Sequence, residues 1–210
     1  MKRSVARQAM PQLTSRAVSP ELVAAIESGE ISGPWSPSFM AFCEINERYV
    51  LWSERALGHL AMTMRSLAGG SWVELCAGDG TLAAALRRRG ISITATDRRP
   101  ARDVARFDVL LDDVALGGWD AALCVFPPDD ARIAGALGRI REHIPVILVT
   151  PALDGVVTCA GALACAAGRV ARLESLESEL ISRHDFCMTM GDVRSIRRHA
   201  RVFIIQPRGT

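Results

Sequence analysis

A chain of 210 residues suits one domain with some added structure, since domains usually run to roughly 100–200 residues. Hydrophobic residues make up 49% and charged residues 23%, enough apolar side chain for a core and too little net charge for a disordered chain. The 25 basic residues against 23 acidic ones leave a net charge of +2, which excludes chain-wide polybasic or polyacidic binding. Aromatics at 5%, with a single tyrosine, disfavour base-stacking platforms, so a nucleic-acid partner is unsupported by composition though not excluded.

Six cysteines, Cys43, Cys76, Cys124, Cys159, Cys165 and Cys187, form no C-x-x-C pair and no zinc-like cluster with histidine, so no metal is expected. Several lie in apolar runs, where a thiol behaves as a small hydrophobe, and the expectation is a reduced, intracellular chain. Lys2, Arg3, Arg7 and Arg16 have no apolar stretch behind them, unlike a secretory signal. The longest apolar stretch, 160–167, is far shorter than the ~20 residues of a membrane span. A cytoplasmic protein with no membrane partner is expected.

Residues 1–37 mix basic residues, Ser and Gly with Pro11, Pro20 and Pro34. One short helix candidate, 20–28, starts on a proline, whose missing N–H costs nothing in a first turn. Residues 1–52 thus read as an N-terminal helical prelude or lid and 53–210 as the main domain. Over 53–67, Leu57, Leu60, Met64 and Leu67 recur at helical spacing, with Ser53 as N-cap and Gly69-Gly70 as the stop. A strand is predicted at 72–75, a helix at 81–89 ended by Gly90, and a strand at 91–96, where Ile91, Ile93 and Ala95 alternate with polar residues. Next come a strand at 120–126, a helix at 130–142, a strand at 145–150 and one or two helices over 155–180. This alternation predicts an α/β fold with a parallel sheet and helices on both faces. Two last strand-like runs, 184–190 and 201–206, are joined by an Arg-rich connection too short for a crossover helix, so the final strand should be antiparallel.

The stretch Val73-Glu74-Leu75-Cys76-Ala77-Gly78-Asp79-Gly80-Thr81 stands at a strand-to-helix turn. Glycines there let backbone approach a ligand, and the helix N-terminus offers unpaired N–H groups. Asp97 follows Gly80 by seventeen residues, at the end of the second strand, from which a carboxylate can accept hydrogen bonds from both ribose hydroxyls. Two nucleoside cofactors compete for this pattern. Gly78 to Ala83 matches G-x-G-x-x-A with Asp97 nineteen residues after Gly78, which suits a dinucleotide and a nicotinamide-dependent oxidoreductase. Glu74 argues the other way, since an acid four residues before Gly78 would repel a pyrophosphate and suits a cationic or amino-bearing ligand.

On these residues the sequence resembles the class I S-adenosylmethionine-dependent methyltransferases, whose first motif reads acid-x-small-x-Gly-x-Gly. Glu74-Leu75-Cys76-Ala77-Gly78-Asp79-Gly80 is similar, with Cys76 in place of the commoner glycine. The interval from Glu74 to Asp97 looks like that family's spacing between its first-motif acid and its ribose-binding acid. The resemblance covers residues 71–210 and leaves the prelude uncovered. It implies a Rossmann-like α/β fold with an antiparallel last strand, S-adenosylmethionine as cofactor and methyl transfer as the activity. It also implies a cofactor site in which Cys76, Ala77, Gly78 and Gly80 form the loop beside the methionine moiety, Glu74 holds the polar network and Asp97 binds the ribose. The family's acid near the adenine amino group falls on Asp108, with Asp112 and Asp113 as rivals.

A fourth motif, Phe126-Pro127-Pro128-Asp129, looks like the D/N/S-P-P-Y/F element of amino-group methyltransferases. Here Phe126 replaces the polar residue and Asp129 the aromatic one, so both the acceptor and the stacking face for a flipped base are missing. Adenine or cytosine N-methylation is therefore not carried over. Phe126 and Pro127 remain as a wall of the cofactor site, and Asp129 or Asp130 is either a base or the N-cap of the next helix. Methyl transfer asks little of a protein beyond alignment and, for some acceptors, removal of a proton. His59, His143 and His184 are candidate bases that spacing does not separate. Arg87-Arg88-Arg89 ends a helix, where cations complement the dipole. Arg194, Arg197, Arg198, His199 and Arg201 are either a solvated hairpin or a phosphate contact. Trp35, Tyr49 and Trp52 either cover an acceptor pocket or pack the first helices.

The sequence thus leads to a methyltransferase with a small-molecule or peptide acceptor. A non-catalytic nucleoside-binding or regulatory module and an RNA or DNA methyltransferase with a degenerate fourth motif are the alternatives.

Overall fold

The computed structural model describes residues 17–18, 49–99, 103–106, 118–128, 131–153, 156–157, 169–182 and 200–207. The helix expected at 20–28 and the strand expected at 184–190 lie outside them. The described strands are β1 (Ala17–Val18), β2 (Val50–Ser53), β3 (Trp72–Leu75), β4 (Ile93–Asp97), β5 (Ala105–Arg106) and β6 (Ala121–Val125), then β7 (Val146–Leu153), β8 (Val156–Val157), β9 (Val170–Arg172), β10 (Ile181–Ser182) and β11 (Ala200–Ile205). The described helices are α1 (Glu54–Leu67), α2 (Thr81–Arg87), α3 (Ala131–Ile140) and α4 (Glu174–Glu177).

Seven strands line up in the order β5-β4-β3-β6-β7-β11-β9. Pairing is parallel from β5 through β7, and β11 runs antiparallel to both of its neighbours. This is the expected α/β sheet with a reversed last strand. Period-two alternation sorts its side chains to two faces. Trp72, Ala121, Leu123, Ile147, Val149 and Val202 pack with Leu57, Leu60 and Met64 of α1 and Leu82 and Leu86 of α2. On the other face Val73, Leu75, Ala122, Cys124, Val146 and Leu148 pack with Ile133, Leu137 and Ile140 of α3. Helices therefore cover both faces, and the core is two apolar layers either side of one sheet.

Local sequence explains most of the elements. The Ser53 hydroxyl accepts the backbone N–H of Ala56 at 3.1 Å and caps α1, satisfying one of the donors a helix start leaves open. α1 buries Ala56, Leu57, Leu60, Ala61 and Met64 on one stripe. At its far end Gly70 lies so close to Asp120 that a Cβ would stand 2.0 Å from Oδ2, so the glycine is needed for close approach.

Two expectations are corrected. Residues just before α1 are strand, not helix: β2 pairs in parallel with β1 and antiparallel with β10 in a small separate sheet, and it buries Val50, Leu51 and Trp52. Within 155–180, expected to be helical, Val156–Val157 and Val170–Arg172 are strands, and the described helix is only Glu174–Glu177. Helical propensity is a weak prior there. β9 is held instead by backbone bonding to β11, whose open edge it covers. The described neighbours of the last strand are thus β7 and β9.

The corner next to β9 is fixed by a carboxylate. Glu177, 4% exposed, accepts the backbone N–H of Val202 at 2.9 Å and takes a forked pair of hydrogen bonds from Arg172, the shortest 2.6 Å. Glu177→Ala leaves the Val202 N–H buried without an acceptor, at about 1–3 kcal/mol. The expected outcome is a lower urea midpoint with an unchanged slope.

Asp120 accepts from the backbone N–H and the hydroxyl of Ser71, at 2.6 and 3.0 Å. The backbone hydrogen bond first, and the hydroxyl second, hold its carboxyl below the ordinary value of 3.8. A lowered folded pKa stabilises the fold above the unfolded pKa, and that contribution disappears as pH falls through the folded one. The stability gap between wild type and Asp120→Asn should therefore be full near neutral pH and close below about pH 3.8, as thermal melts across that range will show.

Candidate functional site

In an open parallel sheet, ligands bind beyond the carboxyl ends of the strands where the chain reverses its direction of winding. Here that point lies between β3 and β6. From β3 the chain winds outward to β4 and β5, then returns to β6 on the other side of β3. The register sets Leu75 opposite Cys124, so the loops leaving the two strands emerge side by side. A cavity opens between them. Cys76, Gly78 and Asp79 line it from the loop after β3, Val125 and Phe126 from the end of β6, and Tyr49, Val50 and Trp52 from the start of the described chain before α1. The space measures about 60 Å³, room for about two waters. A larger ligand must displace a wall, and Tyr49, 41% exposed, is the outermost one.

The loop after β3 winds through left-handed backbone at Cys76 (φ 54°), Gly78 (φ 58°) and Gly80 (φ 71°). Cys76 holds the position where the resembled motif commonly has glycine, and its φ supplies the reason, because this region costs an L-residue roughly 1–2 kcal/mol. Phe126 is strained in the same sense, at φ 50°, and its backbone N–H is pinned to the Val149 carbonyl at 2.7 Å. Two strained residues on neighbouring strand ends thus border one cavity, as backbone strain tends to collect at functional sites.

The acids fall into distinct roles. Glu74 shares a face of β3 with Trp72, which turns it toward α2. It is 1% exposed, and its Oε2 accepts the Ala83 N–H at 3.1 Å, so it braces the first turn of α2 and does not border the cavity. Asp79 lines the cavity and accepts the Thr81 N–H at 3.0 Å. Asp97 ends β4 and is tied to the glycine loop, with Oδ2 accepting the Gly78 N–H at 2.9 Å and Oδ1 the Arg99 N–H at 2.8 Å.

Of the other expected residues, Ala77 is buried and its N–H donates to the Thr96 carbonyl at 2.9 Å. Gly80 opens α2 and does not line the cavity. A Cβ there would stand 2.7 Å from Val104 Cγ2 and 3.4 Å from Ala95 Cβ, so this glycine lets α2 sit down on β4. Pro127 is buried directly after Phe126. Asp108, Asp112, Asp113, Asp129, Asp130, His184 and Trp35 lie outside the described residues, as do Arg194, Arg197, Arg198 and His199. His59 sits 3.5 Å from Glu179 on the outer side of α1, and His143 is exposed after α3. Neither borders the cavity. Arg87 donates to the Ile93 carbonyl at 2.8 Å, and Arg89 bonds the Ala85 carbonyl and Glu54, so that pair serves the helix end. Asp79 and Val125 were not singled out in the sequence, although Asp79 stands inside the glycine motif. Among the described residues no group of three His, Cys, Asp or Glu could hold a metal ion, and no helix is long and apolar enough to cross a membrane.

No family model and no curated protein matches the chain. Among solved structures it is similar to the CcbJ methyltransferase from Streptomyces caelestis, at 9% identity over 74% of this chain and 91% of that one, with a TM-score of 0.46. It is also similar to the 1,6-didemethyltoxoflavin-N1-methyltransferase of Burkholderia thailandensis, at 14% identity over 90% and 91% with a TM-score of 0.46. A third, the S-adenosylmethionine-dependent methyltransferase SibL, shares 13% identity over 82% of this chain, which spans 60% of that one, with a TM-score of 0.47. Likenesses so distant carry no argument about the reaction. The strand order and the reversed β11 stand without them. The fold is the Rossmann-like α/β fold of class I methyltransferases.

The geometry also sets what the loop residues do for stability. Gly80→Ala should destabilise by about 1–2 kcal/mol through φ alone, and by more because Val104 must move. Asp97→Ala removes two acceptors of backbone N–H groups and should lower the stability of the unliganded protein by about 1–2 kcal/mol, discounted for its partial exposure. Urea titrations of both variants without ligand check these values.

Proposed function

We propose that the chain is an S-adenosylmethionine-dependent methyltransferase acting on a small molecule or a peptide. The observation that carries this reading is the cavity at the switch point, with the left-handed glycine loop on one side and Asp97 hydrogen-bonded to Gly78 beside it. Each carboxylate oxygen of Asp97 has a lone pair beyond its backbone contact, so the group can also accept from a pair of ribose hydroxyls. Gly78 leaves the approach to the loop free of a side chain. Asp79 puts a carboxylate on the rim, favourable for a ligand with a sulfonium and an ammonium group. These residues fit the cofactor.

A dinucleotide fits less well, for a reason visible in α2. Pyrophosphates bind where the first N–H groups of a helix point at them. In α2 the Ala83 and Thr81 N–H groups already donate to Glu74 and Asp79, so two internal carboxylates hold the place an anion would take.

When bound, the cofactor supplies an electrophilic methyl group. The chain's part is alignment: Asp97 and the 76–80 loop fix the nucleoside end, and Phe126 and Val125 form the opposite wall. Val50 and Trp52 keep water from the inner side. Among the described lining residues Asp79 is the one carboxylate able to attract a cation or take up a proton.

S-adenosylmethionine or S-adenosylhomocysteine should raise the melting temperature, while NAD should not, because a ligand of the native state stabilises it by mass action. Stabilisation by NAD alone would reverse the cofactor assignment. Asp97→Ala should weaken S-adenosylhomocysteine binding roughly ten- to a hundred-fold in calorimetric titration. For the acceptor, mass spectrometry of small-molecule, peptide and RNA pools incubated with labelled cofactor is the deciding measurement. Label appearing only in RNA would replace the small-molecule or peptide reading with a nucleic-acid one.

A further inference from the structure

We infer that the acceptor is a flat, neutral, conjugated molecule carrying a carbonyl-like oxygen, stacked against Tyr49 and Phe126 and fixed by the indole N–H of Trp52. The inference rests on the methyltransferase reading of the same cavity and narrows its substrate class.

Trp52 is 0% exposed, borders the cavity, and its Nε1–H has no hydrogen-bond partner among the described residues. The contrast with Trp72 is direct, since that indole, 1% exposed, donates to the Ala68 carbonyl at 3.3 Å. A buried donor without an acceptor is costly and rare in a folded chain. An oxygen brought into the cavity removes that cost, and a ligand without an acceptor atom does not.

The aromatic walls select shape. The rings of Tyr49 and Phe126 lie 26° from parallel with centroids 6.4 Å apart, within the range of a favourable ring pair. With so little space in the cavity, a ligand must move Tyr49 and so break this stack. A flat π system restores the lost contact by stacking on the same rings, whereas a saturated molecule leaves it broken. Phe126 is held in left-handed backbone, which a bulky side chain adopts only when its surroundings impose it.

Charge narrows the class again. The described lining holds no Lys, Arg or His, and it does hold Asp79. A phosphorylated or carboxylated acceptor would meet a like charge and no counter-charge. A neutral carbonyl, as in a lactam or quinone-like ring, meets a donor and two ring faces.

Three probes separate these terms: 2-quinolone is flat with a carbonyl, naphthalene is flat without one, and caprolactam has a carbonyl without the flat ring. Each is added to protein saturated with S-adenosylhomocysteine, and the indole N–H signals of the four tryptophans are followed by ¹H–¹⁵N NMR. Trp52→Phe assigns the Trp52 signal by its loss. If that variant does not fold, selective labelling assigns it in the wild type. Tyr49→Leu, on the exposed wall, tests the stack. The expected result is that 2-quinolone moves the Trp52 N–H downfield, naphthalene binds without that shift, and caprolactam does neither. Tyr49→Leu should weaken 2-quinolone about two- to ten-fold.

The proposal is overturned if 2-quinolone binds and leaves the Trp52 signal in place, if caprolactam matches it, or if no probe binds. A downfield shift with S-adenosylhomocysteine alone also overturns it, by giving the N–H to the cofactor. These failures leave the methyltransferase reading intact. Failure of S-adenosylhomocysteine to bind removes that reading instead, and the assignment of the flat ring as acceptor with it.

Discussion

Glu74 carries its carboxylate at 1% exposure against the first turn of α2, and the rest of the site is arranged around that contact. A buried carboxylate needs donors, and the Ala83 N–H is one that every helix start leaves open. Satisfying both at once fixes where α2 begins relative to β3. The five residues between Leu75 and Thr81 must then turn in little space, and left-handed backbone at three of them is how the loop does so. Because the anion at this helix end belongs to the protein, the neighbouring cavity is left to a ligand that brings positive charge or none.

The opposite wall is built by a second constraint of the same kind. Phe126 is locked between the Val149 carbonyl on its own N–H and the proline that follows. Its left-handed φ turns the chain out of β6 at the height where the loop after β3 emerges. The parallel register of β3 and β6 makes the coincidence unavoidable. Loop chemistry alone could not hold two strained residues a cavity's width apart; the sheet does it, and its own stability comes from the apolar layers on either face.

Much of this was legible in the sequence, and the limits have physical causes. The βαβ unit from 72 to 97 reads plainly because its strands alternate, its helix has a glycine on each side, and each feature is local. The reversal of the last strand was legible too, from the short connection before it. The partner of that strand was not, since β9 competes for its edge through backbone bonds that leave little mark on side-chain pattern. Glu74 and Asp97 could be picked out as the important acids, but their hydrogen bonds to Ala83 and Gly78 depend on how α2 and the loop settle. Tyr49 and Trp52 could be read as lid or as packing. The structure divides them, with Trp52 in the core and Tyr49 41% exposed on the outer wall, a distinction that depends on β2 pairing with β10, more than a hundred positions later.

The place of β11 has a consequence for how the chain comes to be folded. It lies between β7 and β9, pairing with Pro151 through Val146 on one side and Arg172 through Val170 on the other. During synthesis β7 emerges about fifty residues ahead of its partner and must wait with one edge bare, because domain elements become available in order from the N-terminus. An unpaired, apolar strand edge is a template for pairing with another chain. The sheet therefore closes late and through contacts distant in sequence, which are slow to form. A ribosome stalled before residue 200 would present nascent chains that share the same open edge and are prone to associate through it.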